Sequence, residues 1–196
     1  VEEHLSNFPA LLYDGPFSDH ILQAKAVFLD GKSDVTADAA KSTAAALLGT
    51  QPENFSDGGE ENGIIPSYNF YYNDSYISIT KAGGYCSYIL NSREISDSVY
   101  GYDECLEKAK DFLGRLSLGS FKESYFALNE GVCVINFAYT ENDIIYYTDL
   151  VKVGVATDTG EIVTLNTQGY IMNHKERSFD APKNDISSAR QKLSPI

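Results

Sequence analysis

The chain has 196 residues, 43% of them hydrophobic, with 14 Tyr, 10 Phe and no Trp; that is too apolar for a disordered segment and leans towards strands. Its formal net charge is −13, from 15 basic and 28 acidic residues with no basic cluster, which argues against nucleic acid and against an anionic membrane surface. No window approaches the ~18 apolar residues that a membrane helix needs.

The chain opens on Val1-Glu2-Glu3 without Met or a signal peptide, so it is expected to be an excised fragment of a longer parent. In residues 1–32, two prolines and a glycine between Pro9 and Pro16 forbid a long helix. The expectation is an extended segment, a turn at Asp14-Gly15-Pro16, a strand over Ala24–Leu29 and a close at Asp30-Gly31-Lys32. A helix is predicted over Ala37–Leu48, capped by Thr36 or Ser33, rich in Ala and stopped by Gly49. The polar, Gly-rich stretch Gln51–Gly63 reads as a loop. Strands follow at Ile65–Tyr72, Tyr76–Thr80 and Tyr85–Leu90, with Asn73-Asp74 and Ala82-Gly83-Gly84 as hairpin turns.

A second helix is expected after Tyr102 with Asp103 as its cap; Leu106, Ala109, Phe112 and Leu113 form one apolar face. Behind it come strands at Ser120–Leu128, Val132–Tyr139, Ile144–Asp149, Leu150–Thr157 and Glu161–Leu165. The endings Leu47-Leu48-Gly49, Phe112-Leu113-Gly114 and Lys192-Leu193-Ser194 resemble one another, and a Gly-containing hairpin follows each of the first two helices. A helix followed by a β-meander, used twice, is a modular plan. The fold class is therefore α+β, as tandem modules with one helix on an antiparallel sheet. The boundaries read as 1–32 for an N-terminal segment, 33–98 and 99–178 for two repeats, and 179–196 for the start of a truncated third. The second unit is longer than the first, which fits added strand around Tyr139–Tyr147.

Candidate chemistry is sparse. Cys86, Cys105 and Cys133 form no C-x-x-C pair and read as small buried hydrophobes, with one bridge between two of them left open. No G-x-S-x-G, S-x-x-K or phosphate-binding Gly-rich motif occurs. His4, His20 and His174 are scattered; Asp14, Asp19 and His20 serve either as metal ligands or as hydrogen-bonding groups that fix a Pro/Gly turn. The 28 acids allow many carboxylate pairs, and nothing in the pattern selects one. The strand Tyr68-Asn69-Phe70-Tyr71-Tyr72 with Tyr76, Tyr85 and Tyr88 must turn some rings away from the core, for sheet packing or for contact with a protein or glycan.

The hairpin Asp158-Thr159-Gly160-Glu161-Ile162, after a helix and an alternating strand, resembles the PepSY domain, a small helix-on-sheet module. Tyr13-Asp14-Gly15-Pro16-Phe17-Ser18-Asp19-His20-Ile21, Ile79–Tyr85, Gly169–Arg177, Val134–Phe137 and Tyr147–Val153 together resemble the YpeB spore-germination family over essentially the whole chain, as its C-terminal repeat region. The resemblance implies an endospore-forming bacterium and a place on the outer face of the spore inner membrane, with a tethered parent. It implies a protein partner, a spore cortex-lytic enzyme that cleaves peptidoglycan, and no catalytic residues; from the residues themselves no cofactor or metal is expected. The expectation is a non-enzymatic scaffold that stabilises or restrains that hydrolase. The alternatives are a PepSY-type protease inhibitor and a peptidoglycan-binding module. Candidate contacts are Tyr13, Asp14, Gly15, Pro16, Phe17, Asp19 and His20, the strand residues Tyr71 and Tyr72, and Tyr170, Asn173, His174 and Arg177. The 13–20 and 169–177 stretches read equally as an interface or as a joint between repeats.

Overall fold

The structure is a computed structural model that describes residues 24–179 and 186–191. Helix α1 (Ala37–Leu48) forms as its caps dictate: the Thr36 hydroxyl accepts from the Ala39 amide at 3.2 Å, and Gly49 closes the helix at φ 66°. Its buried residues Ala40, Ala44, Ala45 and Leu47 are mostly small, so the backbone sits close to the sheet. Helix α2 (Tyr102–Arg115) buries Cys105, Ala109, Phe112 and Leu113. Its cap lies two residues earlier than predicted. Gly101, not Asp103, is the cap, because the Glu104 carboxylate reaches back to the Gly101 amide at 2.8 Å.

Eight strands form one antiparallel sheet: β1 (Ser56–Glu61), β2 (Ser67–Tyr72), β3 (Ser75–Thr80), β4 (Cys86–Asn91), β5 (Phe121–Asn129), β6 (Val132–Glu141), β7 (Ile144–Ala156) and β8 (Ile162–Asn166). Their order is β1-β2-β3-β4-β8-β7-β6-β5. Each repeat thus supplies a four-stranded meander, and the two meanders meet through their last strands, with Tyr88 opposite Asn166, Ile89 opposite Leu165 and Leu90 opposite Thr164. An antiparallel junction of this kind keeps the same face of both meanders on one side. Helix α1 lies over β2 and β3, and α2 over β6, β7 and β8. One core results, running from Phe70 and Ile77 through Ile89 and Leu165 at the junction to Val153 and Phe137, all 0–1% exposed.

Three expectations need correction. Ala24–Leu29 is not a strand; Val27–Leu29 is a 3₁₀ turn in which Leu29 is buried and the Phe28 ring packs 4.8 Å from that of Tyr85. The apolar pattern there serves a docked turn, because pairing with the sheet begins only later, where Asp34 bridges Ala82. Residues 51–63 are not all loop: Pro52–Asn54 is a 3₁₀ turn and Ser56–Glu61 is β1. Gly and acidic residues are tolerated there because β1 is an edge, bulged between Asp57 and Glu60. Finally, Ile144–Ala156 is one 13-residue strand rather than the two expected over 144–157. Asp149, where the first of the two expected strands ends, is paired with Arg177 inside the fold. The added length of the second unit lies in the long β6–β7 hairpin, which turns at Asn142-Asp143.

Candidate interaction surfaces and the aspartate latch

After β8 the chain turns into α3 (Gln168–Asn173), which crosses the end of the sheet beside β7. Gly169 permits the approach; a Cβ there would meet the Leu150 carbonyl oxygen at 2.9 Å. The Tyr170 ring is 2% exposed, its hydroxyl donates to the Leu118 carbonyl at 2.7 Å, and the ring stacks on His174 at 4.2 Å. Phe28, Phe121 and Tyr139 close around these two rings. The chain then latches. The fully buried Asp149 carboxylate accepts two hydrogen bonds from Arg177, at 2.6 and 3.0 Å, and one from the Thr148 hydroxyl at 2.6 Å; His174 Nδ1 lies 2.9 Å from it. Burial alone would raise the Asp149 carboxyl, but the hydrogen bonds from Arg177, Thr148 and His174 outweigh it and hold it below the ordinary carboxylate range.

Of the candidate residues on this stretch, Tyr170 is buried, His174 and Arg177 are half-buried, and only Asn173 is exposed. Tyr170, His174 and Arg177 converge on one point and tie the end of the second unit to the N-terminal turn and to β7. Tyr13, Asp14, Gly15, Pro16, Phe17, Asp19 and His20 lie outside the described residues.

A second polar cluster holds the linker between the units. Arg93 donates to both Asp158 oxygens, at 2.9 and 2.8 Å, to Glu161 at 3.0 Å and to the Thr159 hydroxyl at 2.7 Å; Asp158 also accepts the Ser96 amide at 3.0 Å. The hydrogen bonds from Arg93, helped by Ser96, depress the Asp158 carboxyl strongly. The acidic hairpin 158–161 is thus a clamp on residues 93–96. Sequence reading singled out this hairpin as a motif but passed over Arg93 and Asp149. The available signal was a lone acid in an otherwise apolar strand run, and a lone arginine at the head of a linker.

The sheet face opposite α1 and α2 is exposed in part among the described residues: Tyr71, Leu90 and Lys152 reach solvent, while Asn69, Ser78 and Asn136 are buried between their neighbours. By register it presents Asn69 and Tyr71 on β2, Tyr76 and Ser78 on β3, Tyr88 and Leu90 on β4, Thr164 and Asn166 on β8, Lys152 on β7, and Val134 and Asn136 on β6. Tyr71, Tyr76 and Tyr88 form a cross-strand ladder, with centroids 5.4 and 6.2 Å apart. Tyr71 is 48% exposed, whereas Tyr72 turns to the helix side and packs 5.4 Å from Phe55. Tyr71 therefore belongs to the surface and Tyr72 to the core.

Among the described residues no three His, Cys, Asp or Glu side chains gather as a metal site. The three thiols are free and buried, and desolvation pushes each up, Cys133 to about 11. That is the opposite of an activated thiolate. Among the described residues no helix is long and apolar enough to cross a membrane.

The family described as YpeB sporulation, PepSY1 and PepSY2 domains matches residues 1–180. The chain is 30% identical over 137 residues to a sporulation protein YpeB of Oceanobacillus iheyensis, covering 68% of this chain and 31% of that one. It is 28% identical over 120 residues to the YpeB of Halalkalibacterium halodurans (61% and 27% covered) and 25% identical over 123 residues to that of Bacillus subtilis (60% and 27%). It thus matches about a third or less of the length of each of these relatives. The solved C-terminal domain of Bacillus megaterium YpeB superposes with a TM-score of 0.71 at 23% identity, covering 83% of this chain and 76% of that one, and so shares the fold. With a match over residues 1–180 and an α+β fold of helices on an antiparallel sheet, the chain belongs to the YpeB sporulation family, of which it carries the PepSY1 and PepSY2 domains.

Proposed function

We propose that this part of the protein is a non-enzymatic scaffold outside the spore inner membrane, held there by a tethered parent, and that it binds a cortex-lytic peptidoglycan hydrolase and stabilises or restrains it. The observation that carries the reading is the sheet face opposite the helices. Two meanders fuse into a wide, rigid platform whose far side bears three contiguous tyrosines, a side chain favoured at protein contacts. In a chain of net charge −13 this face holds almost no acid. The buried latch and the Arg93 clamp hold the platform in one shape, which reduces the ordering cost of association. Co-elution of the purified repeats with the cortex-lytic enzyme tests the reading. Binding is expected, with a loss of tenfold or more for Tyr71→Ala combined with Tyr88→Ala; no association with intact repeats would end it.

The tyrosine ladder also favours a second reading, direct contact with the glycan of peptidoglycan, since aromatic faces flanked by Asn and Ser suit a neutral polar polymer. Sedimentation with cortex material, abolished by Tyr71→Ala, distinguishes it.

A further inference from the structure

The two edges of the sheet are built differently. Edge β1 carries Asp57, Glu60 and Glu61, two glycines and a bulge, all devices that discourage a further strand. Edge β5 carries none of them over its second half. From Ser124 to Asn129 it is uncharged, and every residue is exposed, with Tyr125 60%, Phe126 48% and Leu128 64% accessible. Its bulge lies at the other end, between Glu123 and Tyr125. An exposed edge of this length and apolarity is a template for strand addition.

We propose that β5 is a dimerisation edge: it pairs antiparallel with β5 of a second copy and continues the sheet across a two-fold axis near Phe126. The chain already joins its own repeats in this way, β4 against β8. Pairing about Phe126 sets the uncharged run Ser124–Leu128 against itself, places Glu123 of each copy opposite Asn129 of the other, and carries Lys122 towards Glu130, an opposite-charge contact at both ends. Phe126 is already held in place, stacked on Tyr102 at 4.1 Å. One receptive edge and one blunted edge give closure at two copies. Pairing of β5 with β1 would instead propagate an open filament, and the acids and bulge of β1 oppose it. A single strand per copy makes a small interface, so association belongs in the micromolar range.

The test is sedimentation velocity with light scattering across micromolar concentrations of the whole chain, joined to cysteine cross-linking. A reversible dimer of two 21.6-kDa chains is expected. Leu128→Glu should weaken it at least tenfold with an unchanged circular dichroism spectrum, and Glu60→Lys should leave it intact. Directly opposed residues in antiparallel strands have Cα atoms about 4.5–5.5 Å apart, within disulfide reach. Phe126→Cys should therefore cross-link two copies under mild oxidation and Glu60→Cys should not, the three native thiols being buried. A chain that stays monomeric throughout the range, a dimer indifferent to Leu128→Glu, or a dimer in which Phe126→Cys fails to cross-link would overturn the proposal. So would a monomer whose β5 edge instead captures a strand of a different protein.

Discussion

Asp149 shows how one residue can organise a region that is far away in sequence. A carboxylate at 0% exposure is tolerable only with its oxygens satisfied, and Arg177, His174 and Thr148 together do this. Breaking such a pair leaves charge without compensation, so Asp149→Asn should destabilise the fold by about 3 kcal/mol in chemical denaturation. The sign of the pH dependence follows from the lowered carboxyl. Its contribution is fully present above the unfolded value of about 3.9 and is lost as the pH falls towards the lower folded value. Asp158 is depressed in the same direction, so the two add. Acid titration by circular dichroism should show the onset of unfolding below about pH 4, and Asp149→Asn should remove part of that slope. Tyr71 is the contrast. Its ring is half in solvent, so Tyr71→Ala should shift stability by under about 1 kcal/mol while lowering partner binding.

At the scale of elements, local signals explain the helices better than the strands. Helix α1 is legible because Thr36, six alanines and Gly49 each act on nearby backbone. Thr36→Ala removes the acceptor for the Ala39 amide and should cost about 1 kcal/mol, measured as a lowered thermal midpoint with unchanged helicity in the folded state. Strand β1 was hidden for the opposite reason. Asp57-Gly58-Gly59-Glu60-Glu61 has almost no intrinsic preference for extended structure and acquires it only from β2. Val27–Leu29 forms a turn in place of the expected strand because a short apolar run does not reveal whether a neighbouring strand is within reach. The continuity of β7 through Asp149 likewise depends on a partner 28 residues away.

For the whole molecule, the two repeats share one sheet and one core, with Ile89 and Leu165 fully buried at the seam. The expected consequence is a single cooperative unfolding transition, coincident by far-ultraviolet circular dichroism and tyrosine fluorescence. Two separated transitions would show that the seam is weak. An isolated second unit, residues 99–178, would expose the β8 edge and Leu165, and it should aggregate or unfold more readily than the whole chain.

By itself the sequence determined the α+β class, both long helices, the helix-then-meander repeat and the family motifs, because caps, periodicity and turn glycines act over a few residues. Only the tertiary structure decided how the meanders join, which tyrosines face solvent, and that Asp149, His174 and Arg177 form a latch. Those outcomes depend on which strands become neighbours and on which charges are enclosed, and both are set by contacts between residues far apart in the chain.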